Sequence, residues 1–221
     1  MDPLVTWVRT YLTLVRKIFL LQYIPLYIAA VGFTYVLVML GVDWAYFLFI
    51  MKRVPRPFLF ISDLLGFLIP IFLPLVLYMF SKIRKSAYLR ILAEATMYAT
   101  FLGLSVSTCI KSFTGRVSPP DDGNMLVDTS HAFQFGFMRE QIIGGWPSSH
   151  TTIAFALATT LVLLCPQSWR VKVLALSTAV CIGIGVTFGW HWLSEFVAGA
   201  LIGTALGHVV GRYYYLKLDY I

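Results

Sequence analysis

The chain has 221 residues, 59% of them hydrophobic and only 12% charged, with a mean hydropathy of +0.80. A soluble domain carries about 25% charged residues, so the composition excludes a soluble globular protein and indicates an integral membrane protein. The net charge of +7 invites a nucleic-acid reading, but the basic loops that orient membrane spans account for it, and no nucleic-acid partner is expected.

The first residues carry Arg9, Arg16 and Lys17 among apolar positions at helical spacing. That pattern predicts an amphipathic helix lying on the membrane surface, and no cleavable signal is apparent. A transmembrane helix needs about 20 mostly apolar residues. Six stretches qualify: 22–41, 58–80, 91–110, 148–165, 172–190 and 193–211. They use most of the chain, so residues 1–221 are read as one domain. The expected fold is an all-α integral membrane protein, a six-transmembrane helix bundle with an N-terminal amphipathic interfacial helix. Pro25 sits near the start of the first span, and Pro70 and Pro74 should kink the second. Asp63 and Glu94 are ionisable groups inside spans, which makes each a functional candidate, although their places near the span ends favour a bundle-facing or snorkelling role. Cys109, Cys165 and Cys181 lack metal-ligand spacing and read as small buried hydrophobes.

With the N-terminus in the cytoplasm, eleven basic residues fall inside: Arg9, Arg16, Lys17, Lys82, Arg84, Lys85, Arg90, Arg170, Lys172, Arg212 and Lys217. Six fall outside: Lys52, Arg53, Arg56, Lys111, Arg116 and Arg139. The bias places both termini in the cytoplasm. The inner loops are short, whereas a long outer loop joins the third and fourth spans, from Lys111 to Trp146. Loops of that length are uncommon unless functional or disordered. This one carries Phe133, Phe135, Phe137, Ile142 and Ile143 and is expected to fold back over the outer face.

Three separate span ends then deliver polar groups to one level. The third span ends in KSFTGR, with Lys111 and Arg116; the fourth begins in WPSSH, with Ser148, Ser149 and His150; the fifth leads into GWHWLSEF, with His191 and Glu195. Pro147 suits the first position of a helix, where no amide hydrogen is needed. The following amides would be free at a helix N-terminus, which binds anions. Lys111 and Arg116 add full charges, and an arginine can grip phosphate through two parallel hydrogen bonds. His191 and Glu195 are four apart, one helix face. A carboxylate on one ring nitrogen fixes the tautomer and frees the other as nucleophile or base, and His150 can protonate a leaving oxygen.

This pattern resembles the type 2 phosphatidic acid phosphatase family, whose signature also occurs in vanadium haloperoxidases. The family's blocks are Lys-x6-Arg-Pro, Pro-Ser-Gly-His and Ser-Arg-x5-His-x3-Asp. Residues 111–119, KSFTGRVSP, match the first block at Lys111 and Pro119, with Arg116 where a second family arginine is common. PSSH at 147–150 matches the second with Ser149 for glycine, and His191 and Glu195 take the histidine and aspartate positions of the third. The first block's arginine is replaced by Ser118, and the third block's Ser-Arg pair by Ile184 and Gly185. The resemblance implies that His191 forms a phosphohistidine, Glu195 orients it and His150 is the acid. Glu195 is one methylene longer than the family's aspartate and is expected to reach His191 still. Arg139, a few residues before the WPSSH turn, is expected to supply one missing cation, with Lys52, Arg53 and Arg56 a weaker pool.

The function expected is that of a lipid phosphatase hydrolysing a phosphomonoester or pyrophosphate on a membrane lipid at the periplasmic face of a bacterial-type inner membrane. Neither a cofactor nor a metal is needed, since cations and a helix end supply the positive charge, and no obligate protein partner is implied. Two other readings share these residues: a lipid phosphotransferase using the same phosphohistidine, and a non-catalytic lipid-phosphate binder on a decayed scaffold, which the missing arginines favour and the retained histidines oppose. Polyprenyl pyrophosphate, phosphatidylglycerol phosphate, phosphatidic acid and a phosphorylated lipid A all fit the pattern.

Overall fold

A computed structural model describes residues 2–55, 57–120, 127–139 and 145–218. Arg56, Ile142 and Ile143, named above, lie outside the described residues. The described chain forms eight α-helices: α1 (Pro3–Lys17), α2 (Ile24–Met39), α3 (Val42–Met51), α4 (Pro57–Ile83), α5 (Ala87–Lys111), α6 (Ser149–Leu164), α7 (Trp169–Gly185) and α8 (Leu193–Leu218). A two-stranded antiparallel ladder, β1 (Thr114–Arg116) and β2 (Phe133–Phe135), lies between α5 and α6 and pairs Arg116 with Phe133.

Among the described residues, five helical stretches are long and apolar enough to cross a membrane: 21–39, 57–83, 87–111, 169–188 and 193–218. The expected fourth span is α6, which has 16 residues, about 24 Å at 1.5 Å per residue and thus shorter than the usual hydrocarbon thickness of about 30 Å. It can be short because it is the central helix, walled by α5, α7 and α8. The molecule is an integral membrane bundle whose exposed flanks are apolar: Phe58, Phe60, Leu64, Phe67 and Phe72 of α4 are all exposed. Thr96, Thr152, Thr160 and Ser194 are buried instead. Small side chains and hydroxyls are what membrane helices use to approach one another.

The closest approach is α6 on α8. Gly199, Gly203, Gly207 and Gly211 recur every fourth residue along α8. A Cβ on Gly199 would sit 2.9 Å from the Ser148 carbonyl oxygen, and on Gly203 or Gly207 it would strike the Thr152 or Ala156 carbonyl. The Thr160 hydroxyl also donates across the pair to the Gly207 carbonyl at 3.2 Å. In α4, Pro74 has no N–H, so the Pro70 carbonyl loses its helical donor; the Thr100 hydroxyl of α5 donates to it at 3.2 Å.

The N-terminal helix forms as expected. The Asp2 side chain caps it, accepting from the Leu4 amide at 2.9 Å, and Trp7 stacks on Tyr98 of α5. Among the described residues, Glu94 forms an exposed i,i+4 pair with Arg90, an arrangement worth about 0.3–0.5 kcal/mol. The cysteines are free thiols; Cys165 is buried as expected, while Cys109 and Cys181 are exposed on the apolar flank. One element has no counterpart in the sequence reading: α3, an apolar helix of 10 residues that begins after Gly41 at φ +65° and holds a fully buried Asp43.

Gly203→Leu should overpack α6 against α8 and lower stability by about 1–3 kcal/mol. Gly32→Ala on α2, where nothing lies within 4 Å of the new methyl, should leave stability equal or raised. Thermal melts in detergent check both.

Candidate active site

The site is built where α5 ends and α6 and α8 begin. The Trp146–Pro147 peptide is cis. Ser148 is the N-cap of α6, and its Oγ accepts from the Thr151 amide at 3.4 Å. Pro147 therefore precedes the cap rather than opening the helix. The Ser148 amide is not free either, since it donates to the Glu195 carbonyl at 3.2 Å. The first two helical residues are Ser149 and His150, whose amides have no intrahelical acceptor at this position; these two form the anion-seeking end of α6.

His191 and Glu195 do meet, though not as two residues of one helix. His191 lies in the turn of residues 189–192, where its amide donates to the Val186 carbonyl, and Glu195 is in the first turn of α8. His191 Nδ1 and Glu195 Oε2 are 2.6 Å apart and both side chains are buried. The second nitrogen, Nε2, is not committed to that carboxylate. Burial pushes the His191 imidazole below its ordinary range, outweighing the hydrogen bond and charge of Glu195, which pull it upward. The neutral, nucleophilic form is favoured. Lys111, buried at the end of α5, lies within electrostatic reach of His150, His191 and Glu195. His150 Nε2 is 3.4 Å from Asp63 Oδ1 on α4.

Arg116 has a different place from the phosphate grip expected of it. It is 1% exposed, and all five of its N–H bonds have protein acceptors. Nε donates to the Ser130 carbonyl at 2.8 Å, and NH2 donates to the same carbonyl and to Asp43 Oδ2 at 2.7 Å. NH1 donates to Ser194 Oγ at 2.8 Å and to Glu195 Oε1 at 3.3 Å. Since a guanidinium has five donors, none is left for a ligand. Phe133 and Trp192 face the guanidinium at 4.6 and 5.5 Å. Arg116 thus supports Glu195 from behind.

Asp43 completes this layer. Its Oδ1 accepts from the Ser194 amide at 2.8 Å and its Oδ2 from the Ser194 hydroxyl at 2.6 Å. A residue of α3 therefore satisfies an orphan amide at the start of α8, where negative charge is favoured. The sequence reading missed Asp43, Ser194 and Ser130. The one available signal was a lone carboxylate in the apolar run VDWAYFLFIM. Arg139 is exposed after β2, its side chain over Gly136, and makes no ion pair among the described residues. Arg53 covers the Phe49 ring at 4.1 Å.

A bundle of membrane helices that gathers a lysine and two histidines, one of them anchored on a buried carboxylate, at one helix mouth has the makings of a membrane-embedded site for phosphate chemistry. The family model of the PAP2 superfamily matches residues 91–219, and the chain belongs to that superfamily. The solved structure titled as the first transmembrane PAP2-type phosphatidylglycerolphosphate phosphatase, from Bacillus subtilis, is similar at a TM-score of 0.55 and 17% identity, over 88% of this chain and 96% of that one. Comparison with curated proteins returned no match.

Asp43→Asn removes the nearer of the two carboxylates that Arg116 meets in a buried site and should cost up to about 3–5 kcal/mol, the range for breaking a buried pair. The double substitution Asp43→Leu with Arg116→Met should cost less than the sum of its parts. Chemical denaturation of the four proteins in detergent measures the coupling.

Proposed function

We propose that the chain is a membrane lipid phosphatase that works through a phosphohistidine on His191. The observation that carries this reading is the 2.6 Å contact of His191 Nδ1 with Glu195 Oε2, which commits one nitrogen and leaves Nε2 to attack. The PAP2 family match and the resemblance of the motif blocks support it. In the first step Nε2 attacks phosphorus, the P–O bond to the lipid breaks, and His150 gives its proton to the departing oxygen. In the second, His150 takes a proton from water, the oxygen of that water attacks phosphorus, and the P–N bond breaks to release phosphate. Lys111 and the Ser149 and His150 amides hold the phosphoryl oxygens. The Ser149 hydroxyl, at the same helix start, is a further donor. Ser148 and Arg116 act from behind, the first by capping α6 and the second by fixing Glu195. Arg139, exposed beyond the helix mouth, is assigned to the headgroup rather than the transferring phosphoryl.

The lipid chain has a place. An apolar cavity of about 710 Å³ lies between α4, α6 and α7, lined by residues such as Ile69, Leu73, Leu157, Leu174 and Ile182. Ile182 reaches the His150 level, since both side chains crowd the same face of Gly66. A tail held there, beside the bundle core, would leave the headgroup at the helix mouth. The charge count of the loops supports a site on the periplasmic side with cytoplasmic termini, and phosphatidic acid, phosphatidylglycerol phosphate and polyprenyl pyrophosphate share the required chemistry.

Phosphate release from a panel of those lipids in detergent should be abolished by His191→Ala and reduced by at least about 100-fold by Glu195→Gln, and vanadate should inhibit. Appearance of a phosphorylated lipid without free phosphate would instead make the enzyme a transferase. Turnover by His191→Ala at the wild-type level would remove the phosphohistidine. Protonated His191 cannot attack, so kcat/KM should fall as pH drops, through a value below the ordinary histidine range near about 6.5. Glu195→Gln removes the carboxylate that does most to raise that value, Asp63 adding less, so its acid limb should move to still lower pH.

A further inference from the structure

The site contains a second histidine–carboxylate pair that the motif blocks do not include. His150 Nε2 stands 3.4 Å from Asp63 Oδ1, with side-chain exposures of 30% and 43%, at the mouth rather than the floor of the site. The approach of α4 is made by missing side chains. One turn beyond Asp63, Gly66 faces the imidazole so closely that a Cβ there would lie 2.7 Å from His150 Cδ2. On the other side Gly185 receives Ser62, whose hydroxyl occupies the space a side chain at 185 would need. Position 185 is where the resembled family carries an arginine. Here α4 fills that volume and brings a carboxylate with it.

We propose that Asp63 is a positioning residue for the general acid, anchoring His150 through Nε2 so that Nδ1 carries the proton delivered to the leaving oxygen. The proposal rests on the phosphatase reading above. An imidazolium has a donor on each nitrogen. With Nε2–H held by Asp63, Nδ1–H is the bond that breaks when the lipid oxygen departs. Nδ1 then bears the lone pair that accepts a proton from water in the second step, which restores the starting state. Among the charged groups around His150, Lys111 and His191 oppose a positive charge on it while Asp63 favours one. Glu195 is already spent on His191 and Arg116. Each histidine thus has one nitrogen facing a carboxylate, Nδ1 at 2.6 Å in His191 and Nε2 at 3.4 Å in His150, which leaves the other for phosphorus or its leaving group.

General acid catalysis matters most when the leaving group is poor, which gives a test that a merely structural role would not pass. Purified enzyme in detergent is assayed on an alkyl phosphate, phosphatidic acid, and on an aryl phosphate, p-nitrophenyl phosphate, whose leaving group needs no proton. Because kcat/KM reports only formation of the phosphohistidine, before the hydrolytic step the two substrates share, Asp63→Asn should lower kcat/KM for the alkyl phosphate by about 100-fold, in the range general acids supply, with kcat/KM for the aryl phosphate changed by less than about fivefold. Asp63→Glu should restore part of the loss, and in a His150→Ala background Asp63→Asn should add nothing. Equal losses on both substrates, no loss on either, or a full further loss without His150 would each overturn the proposal while leaving the phosphatase reading standing. Wild-type enzyme inert on both substrates, and indistinguishable from His191→Ala, would overturn both.

Discussion

The close approach of α6 and α8 is the constraint on which the rest depends. In a bilayer, apolar surface gains little by leaving lipid for protein, so helices associate by packing and by polar contacts. The glycines at 199, 203 and 207 let the carbonyls of α6 lie almost on the backbone of α8, and Gly211 makes room for the Leu163 side chain. That ladder fixes the axial register of the two helices. Register in turn decides that Ser148 at the start of α6 lies beside Glu195 at the start of α8, where amide and carbonyl bond. His150 and His191 are brought together by a stripe of residues that touch neither.

Charge at this end of the bundle is arranged in layers. Behind His191 stands Glu195; behind Glu195, Arg116; behind Arg116, Asp43 and the start of α8. Each buried charge meets an opposite one, which is the condition for keeping ions in a poorly solvated place. The same closure explains why Arg116 has no donor left for phosphate. Its bonds restrain Glu195, a side chain longer than the aspartate of the resembled motif. In the proposed phosphatase, anion binding then falls to Lys111 and to the first amides of α6.

Much of the fold was legible because bilayer physics writes it in long apolar runs, and the amphipathic start was legible in its periodicity. The pairing of His191 with Glu195 followed from spacing, even though a turn rather than a helix delivers the histidine. Helix α3 was not legible. Its apolar residues follow directly on the first span, and only the left-handed turn at Gly41 separates the two. Arg116 shows why site roles are harder to read than site membership. A sequence reveals a cation at the right level but not whether its donors are already used. That depends on Ser130, Ser194 and Asp43, which come from three other segments. The glycine stripe stood in plain view at a spacing of four, but its meaning lay in the α6 carbonyls opposite. Asp63 stood out as a charge inside a span, and only the packing of α4 gives it a partner.

The pairing of Asp43 with Arg116 has a consequence for how such a chain can change over time. Asp43 without Arg116 is an unmatched ion sealed at the start of α8, and Arg116 without Asp43 keeps only its longer contact with Glu195, at 3.3 Å. Neither position can drift freely under selection. A lineage that surrendered the acid on α3 would have had to surrender the base after α5 as well, and then find another way to hold Glu195. The two residues, 73 apart in sequence, form one energetic unit.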